Sequence, residues 1–367
     1  MQINELDVSG FRNYRHQSLT FDPDCNVIYG ENAQGKTNLL EAVVYLSCGK
    51  SPRTHADKEL IGFDAAGAVL EGHIMSRDRD FVTRIELTRG KKRKMSVNGV
   101  AAKNAAALSD VLHTVFFAPE DLFLIRDGAA ARRKFMDLSL CQLRPRYAEA
   151  LAEYSRLYDH KTRILRDSAD YPALLDTLPE FNHRLIQVGA VLIRYRASFC
   201  EKLRQYAAQA HAECSGGREA LSLTYQTVKT VTDPLADAAV IAAQLAEHQQ
   251  SHYAAELASR LCLSGPHKDD IAVTVNDRAA RQFCSQGQVR TAALALKLAE
   301  REIHKDTFGE YPVMLLDDVL SELDPLRQEY VLNRISGGQV FITCCENDRL
   351  DTLLTGKVFH VKNGEVL

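Results

Sequence analysis

Along the chain the apolar positions change period twice. From residue 1 to about 115 they tend to alternate, as in Gly72-His73-Ile74 and Thr83-Arg84-Ile85-Glu86-Leu87, the pattern of half-buried strands. From about 120 to 262 the period becomes helical: Phe135 and Leu138; Ala148, Leu151, Tyr154 and Leu157; Leu185, Val188, Leu192 and Tyr195. Turn signals at Ser215-Gly216-Gly217 and Asp233-Pro234 break this region. Strand-like runs then return at Ile271 to Val275, Val313 to Leu316 and Val340 to Ile342, with a helical stripe of Val289, Ala292, Ala293, Leu296, Ala299 and Ile303 between them. The pattern predicts an α/β chain with a discontinuous strand-rich lobe, residues 1–115 and 263–367, and a mainly helical lobe over 116–262. The longest helical stretch, about Leu178 to Cys214, spans roughly 55 Å at 1.5 Å per residue, too short for a long coiled-coil arm.

Three short motifs carry the chemistry. The apolar run Val27-Ile28-Tyr29 leads into Gly30-Glu31-Asn32-Ala33-Gln34-Gly35-Lys36-Thr37, and a helical pattern through Leu39, Leu40, Ala42, Val43 and Leu46 follows. Strand, G-x-x-x-x-G-K-T loop and helix stand in the order a phosphate-cradling loop needs. Its glycines permit positive φ and close approach of backbone N–H groups, and the helix presents its positive end. Lys36 is the candidate for the β- and γ-phosphates and Thr37 for a Mg²⁺ ligand. Val313 to Leu316 reads as a buried parallel strand, so Asp317-Asp318 falls at its C-terminal end, where ligands of open α/β sheets bind. Asp317 is read as holding Mg²⁺ through water and Asp318 as polarising the attacking water; the alternative is that the pair caps a helix from about Leu320 to Leu332. Thr37 and Asp317 lie 280 residues apart, so the halves of one nucleotide site come from opposite ends of the chain. Ser285-Gln286-Gly287-Gln288 opens the Val289 to Ile303 stripe and either binds an anion or simply starts a helix. Gly265-Pro266-His267-Lys268-Asp269-Asp270 is open between a charged surface near the nucleotide and a turn before the next strand.

Together the motifs resemble the phosphate loop, signature and metal-binding strand of ABC-type ATPases, and their finer wording is similar to the RecF family of bacterial recombination-repair proteins. The likeness rests on Leu6 to Tyr14, Gly30 to Ala42, Pro119 to Leu122, Gly265 to Asp270, Ser285 to Leu296 and Leu315 to Asp324, which span nearly the whole chain. It implies an ABC-type ATPase head: a P-loop α/β lobe with a mixed sheet and a helical second lobe, without a long coiled coil. It implies ATP and Mg²⁺ as cofactors and an ATP-dependent homodimer. In that dimer the loop Gly30 to Asn38 of one subunit faces Ser285, Gly287 and Gln288 of the other. Arg12 and Asn13 would lie near the nucleotide, and Ser321-Glu322-Leu323-Asp324 would cross the interface. It further implies binding to duplex DNA at or near single-strand gaps, partnership with RecR and RecO, and help in loading a recombinase during repair and replication restart. Weak, DNA-stimulated ATP hydrolysis would be secondary to binding. Three positions depart from the wider ABC pattern. Asp318 stands where Glu is usual, from which slow turnover is expected; Gln286 precedes Gly287 where transporters have a second glycine; Thr343 stands where many have a histidine, and can donate a hydrogen bond but carry no charge. The last two disfavour the alternative of a transporter's ATP-hydrolysing subunit, and the missing coiled coil disfavours a structural SMC-like ATPase.

Composition adds limits. Of 367 residues 46% are of hydrophobic type, without an 18-residue apolar stretch, and Met1 to Glu5 do not read as a signal peptide. Nine cysteines without a C-x-x-C pair fit reduced, mostly buried thiols, and with them a cytoplasmic protein away from membranes. A net charge of −3 means that any DNA contact must come from local patches. The candidates are Lys91, Lys92, Arg93 and Lys94, in a basic hairpin tip opened by Arg89-Gly90 between Phe81 to Leu87 and Met95 to Val97, and Arg132 with Arg133 at the start of a helical region.

Overall fold

The computed structural model describes residues 1–54, 56–345 and 356–367. Its chain divides into two compact units, one of Met1–Phe123 with Leu296–Leu367, the other Leu124–Ala295.

The first unit holds two six-stranded sheets. In one, Thr114–Phe117, Val313–Asp317, Val340–Cys344, Cys25–Tyr29 and Lys357–Lys362 run parallel in that spatial order, and Glu365–Val366 closes an edge antiparallel, so the sheet is mixed. Every residue of Val313–Asp317 is buried, which is why that run is apolar without alternation. In the helix Lys36–Cys48 all residues but Thr37 and Asn38 are buried, and those two sit at its first turn. The other sheet is an antiparallel array ordered Tyr14–Thr20, Gln2–Phe11, Gly67–Ser76, Arg79–Thr88, Lys94–Val97, Val100–Ala101. Its inner residues, among them Ile3, Leu6, Leu70 and Ile85, share one core with Leu40 and Val43 of the helix and Leu315 and Phe341 of the parallel sheet. The loop helix is thereby packed between two sheets.

The second unit contains the helices Ala129–Leu143, Pro145–Asp167, Leu178–Cys214 and Ala238–Ser259. Leu178–Cys214, at 37 residues, is the longest helix among the described residues, and none is long and apolar enough to cross a membrane. The expectation of an almost wholly helical stretch to residue 262 needs a correction. Leu221–Gln226 is a strand, paired antiparallel with Asp270–Val275. Its alternation is only six residues long, with Leu221 and Leu223 inward and Ser222 and Thr224 outward. The strand it pairs with lies some fifty residues further on, inside the segment that sequence pattern assigned to the other lobe. That pairing carries residues 263–295 into the second unit, and the division falls within the helix Gln286–Phe308.

A second correction concerns the segment after Asp318. In place of one helix from Leu320 there is a 3-10 turn, Leu320–Glu322, a break, and the helix Pro325–Arg334. Asp324 caps that helix, its carboxylate accepting the Arg327 N–H at 3.1 Å, and Pro325 occupies the first turn. At the other end the buried guanidinium of Arg301 donates to the carbonyls of Arg334, Ile335 and Ser336 and lies 3.7 Å from the ring centroid of Tyr311.

Candidate functional site

Strand register assembles the acidic half of the site. In the parallel sheet Asp317 pairs with Thr343, and Thr343 with Ile28, two residues before the phosphate loop. Three strand ends therefore meet. The Thr37 hydroxyl donates to Asp317 Oδ1 at 2.9 Å, the Thr343 hydroxyl donates to the same oxygen at 2.9 Å, and the Asp318 N–H donates to Thr343 Oγ1 at 2.9 Å. Burial pushes the Asp317 carboxyl above the usual carboxylate range, opposed by these two hydroxyl bonds, which favour its charged form. Asp318 has φ 52°, a left-handed conformation that is uncommon outside glycine and asparagine. Thr343, whose role the sequence left open, thus organises both acids.

The phosphate loop has the expected backbone, with φ 151° at Gly30, 65° at Ala33 and 122° at Gly35. A side chain at Gly35 would also strike Asn13, whose amide would lie 2.7 Å from its Cβ. Gly35 gives the helix no side-chain cap, so its first-turn N–H groups are open to an anion. The buried Lys36 ammonium donates to the carbonyls of Gly30 and Glu31 at 2.5 and 2.8 Å. Asn13 braces the loop, donating to Gln34 O at 2.8 Å and accepting from the Asn38 amide at 2.8 Å. Glu31, Asn32 and Ala33 form an exposed lip.

Arg12 lies on the same side but has another partner. Its guanidinium makes two bonds of 2.7 and 2.8 Å to the carboxylate of Glu41 and one of 2.9 Å to Glu59 O. Glu41 is wholly buried in the loop helix, accepts the Ser51 hydroxyl at 2.5 Å and faces Arg53 at 3.6 Å. Sequence reasoning missed this group, whose signal is a lone acid within Leu39 to Leu46, a stretch otherwise without charge.

In the second unit, Ser285 and Gln288 satisfy each other: the Ser285 N–H donates to Gln288 Oε1 at 2.9 Å and the Gln288 N–H to Ser285 Oγ at 3.2 Å, a reciprocal helix cap. The Gln288 amide also donates to Glu219 at 2.9 Å. Gly265 to Asp270 form a buried junction. Asp269 is fully buried, faces Arg196 at 2.9 Å and accepts the Tyr225 hydroxyl; burial pushes its carboxyl up to about 6 against the pull of Arg196. Arg196 also grips Asp137 and Pro266 O. His267 donates through Nε2 to Cys262 O at 3.0 Å and so accepts the Tyr154 hydroxyl on Nδ1 at 2.8 Å, and burial pushes it down to about 4. Lys268 alone of the six is exposed. Within this hub Arg132 is 5% exposed, bound to Asp270 at 2.6 and 2.9 Å and to three backbone carbonyls. Buried and engaged through all three guanidinium nitrogens, Arg132 is not a DNA contact, contrary to the expectation from sequence. Arg133, half-buried, donates to Asp269 O at 2.8 Å.

The basic hairpin of the first unit sorts its cations. Arg89 donates to Gly62 O and Ala65 O; Arg93 donates to Gly49 O and Tyr45 Oη and faces Asp57 at 3.5 Å. Lys91, Lys92 and Lys94 are exposed. The arginines pin the hairpin and the lysines project from it.

Comparison with known proteins agrees with this geometry. Residues 2–365 match the family described as the RecF/RecN/SMC N terminal domain. The chain is 39% identical over 375 residues to the DNA replication and repair protein RecF of Bacillus subtilis (strain 168), covering 100% of both, and 37% identical over 370 residues to that of Agathobacter rectalis, covering 100% and 99%. Among solved structures it is similar to the recombination mediator protein RecF-ATPrS in RecFOR pathway, with TM-score 0.92 and 32% identity over 100% of this chain and 97% of that one. The corresponding RecF-ATP structure gives 0.91 and 33%, over 100% and 96%. An Smc head domain from Pyrococcus furiosus, 15% identical with TM-score 0.55, shares the fold.

Proposed function

The chain belongs to the RecF/RecN/SMC N terminal domain family, and within it to the RecF proteins, and from that premise we propose that it is an ATP-dependent DNA-binding protein in which nucleotide closes a homodimer on duplex DNA at or near single-strand gaps. The observation that carries this reading is the Thr37, Asp317, Thr343 and Asp318 cluster at the mouth of a phosphate loop. ATP phosphates would take the place of the Gly30 and Glu31 carbonyls on Lys36, and the N–H groups of Gly30 to Asn38 would line the chain of phosphates. A Mg²⁺ ion fits the donors present. Thr37 and Asp317 bring two oxygens within 2.9 Å, and burial leaves the carboxylate in want of a cation. Mg²⁺ keeps several waters and takes phosphate oxygens, so two protein oxygens suffice on the protein side. Bound there, Mg²⁺ supplies charge neutralisation on the phosphates.

Asp318 is the residue for orienting the attacking water, and its short side chain favours slow turnover. Ser285, Gly287 and Gln288 of a second copy would complete the site, with Asn13 bracing the loop and Arg12, near the nucleotide, bracing the helix that follows it through Glu41. Two nucleotides bridging two copies make ATP the closing ligand and its hydrolysis the release. DNA contact is assigned to Lys91, Lys92 and Lys94. The likeness to a recombination mediator protein of the RecFOR pathway supports the further reading that the chain helps load a recombinase, with RecO and RecR as partners in the cytoplasm.

The test is light scattering and duplex-DNA binding of the wild type and Lys36→Ala, with and without ATP and Mg²⁺. ATP should drive dimerisation and tighten DNA binding in the wild type alone. ATP-driven self-association with no DNA affinity at moderate salt would sink the DNA reading and return the search to a protein or membrane partner.

A further inference from the structure

Phe63 is fully exposed, more so than any other large apolar side chain among the described residues. Its neighbours on the N-terminal side, Leu60 and Ile61, are buried, and Ile61 forms a bridge with Phe11. The chain then turns sharply: Ala65 N–H donates to Gly62 O at 3.1 Å, and Gly62 N–H is tied to Gly10 O at 2.8 Å. Phe63 stands at the tip of that turn. From the other side Arg89 clamps both ends of the turn, donating to Gly62 O at 2.9 Å and Ala65 O at 3.2 Å. An aromatic ring is thus held in water on an anchored turn, where exposure cannot be the by-product of a loose loop.

What clamps it indicates what covers it. Arg89 opens the basic run, and the exposed Lys91 and Lys92 follow it on a turn closed by the Lys91 N–H to Thr88 O at 3.1 Å. Asp64 is the one acid of the turn, against Arg89 and the exposed Lys91, Lys92 and Lys94. A π face on a turn held by the first cation of a lysine run suits a nucleobase whose phosphates lie on the ammonium groups. Intact duplex hides its base faces in the stack except at its ends, so such a ring finds its partner most cheaply where a base is unpaired.

We propose that Phe63 stacks on an unpaired base at a junction between duplex and single-stranded DNA, with Lys91, Lys92 and Lys94 on the adjoining phosphates. The inference rests on the DNA-binding reading above and supplies the element that tells a gap from continuous duplex.

The experiment uses full-length wild type, Phe63→Ala and Phe63→Trp, each checked for folding by circular dichroism. Gapped and blunt duplexes of equal length are compared, with 2-aminopurine as the first unpaired base. The wild type should quench the 2-aminopurine and prefer gapped DNA roughly 5- to 150-fold, the worth of one stacked base. Phe63→Ala should lose the quenching and the preference while blunt-duplex affinity stays within about twofold of wild type, and Phe63→Trp should restore both. Unchanged quenching and preference in Phe63→Ala would overturn the proposal. So would loss of self-association with the preference intact, which would make the ring a contact between copies. Wild type that binds no duplex at all would remove the DNA reading itself, an outcome distinct from either.

Discussion

Thr343 shows how one hydroxyl does work that its position in the sequence did not announce. It donates to Asp317 and accepts from the Asp318 N–H, so one side chain positions both the Asp317 carboxylate and the left-handed backbone of the next acid. Valine has the same shape and neither function. Thr343→Val leaves that N–H without its partner, at a cost of about 1 to 3 kcal/mol. We expect ATP affinity to remain within a few-fold while hydrolysis falls at least about tenfold, and Thr343→Ser to stay near wild type. Fluorescent-nucleotide titration and phosphate release measure the two; equal losses in both would mean that Thr343 serves binding alone. At this scale the cradle was readable because its chemistry is local: Gly30, Gly35, Lys36 and Thr37 act through a backbone path eight residues long. The partner of Arg12 was not, since Glu41 reaches it only once the loop helix has been folded against the antiparallel sheet.

At the scale of elements, Gly265 to Asp270 tie the helices of the second unit together. Asp269 meets Arg196 of Leu178–Cys214, and His267 meets Tyr154 of Pro145–Asp167. The histidine gives the hub a pH dependence whose sign follows from its environment. Burial lowers its pKa in the folded state to about 4, below the ordinary 6.5, so the unfolded chain binds the proton more tightly. Its contribution is complete above about 6.5 and is lost as pH falls toward 4, on the order of 3 kcal/mol in full. Asp269, pushed up to about 6, acts in the opposite sense, its contribution fading as pH rises through that value. Urea denaturation followed by circular dichroism at pH 7 and pH 5 should therefore show wild type losing more stability on acidification than His267→Gln, in which Asp269 still titrates. Equal losses would mean that His267 is protonated in the fold. The helices themselves were readable from their period. Leu221–Gln226 was hidden because six alternating residues carry little signal and its pairing with Asp270–Val275 spans a whole helix.

For the whole molecule, a net charge of −3 means that the proposed DNA contact must come from a local patch, here the hairpin lysines. Replacing Lys91, Lys92 and Lys94 by alanine should lower the slope of log affinity against log salt by about 2 to 3, at about 0.9 per phosphate contact. Fluorescence anisotropy from roughly 50 to 200 mM salt reads the slope. An unchanged slope would move the DNA surface elsewhere. Arg93 is kept out of the set, since its loss would also free the hairpin from Gly49 and Tyr45. What the sequence determined by itself was the class of fold, the phosphate loop and the acidic strand end, because each depends on short-range periodicity or on a backbone conformation that only certain residues permit. Tertiary structure alone decided which cations are free. Arg12 and Arg132 are bound to carboxylates and Arg93 to the Gly49 carbonyl and the Tyr45 hydroxyl beside Asp57, while the hairpin lysines and the ring of Phe63 remain in water. A charge is available to a ligand only if no nearer partner desolvates it, and which partner is near is a property of strand register and helix packing, not of distance along the chain.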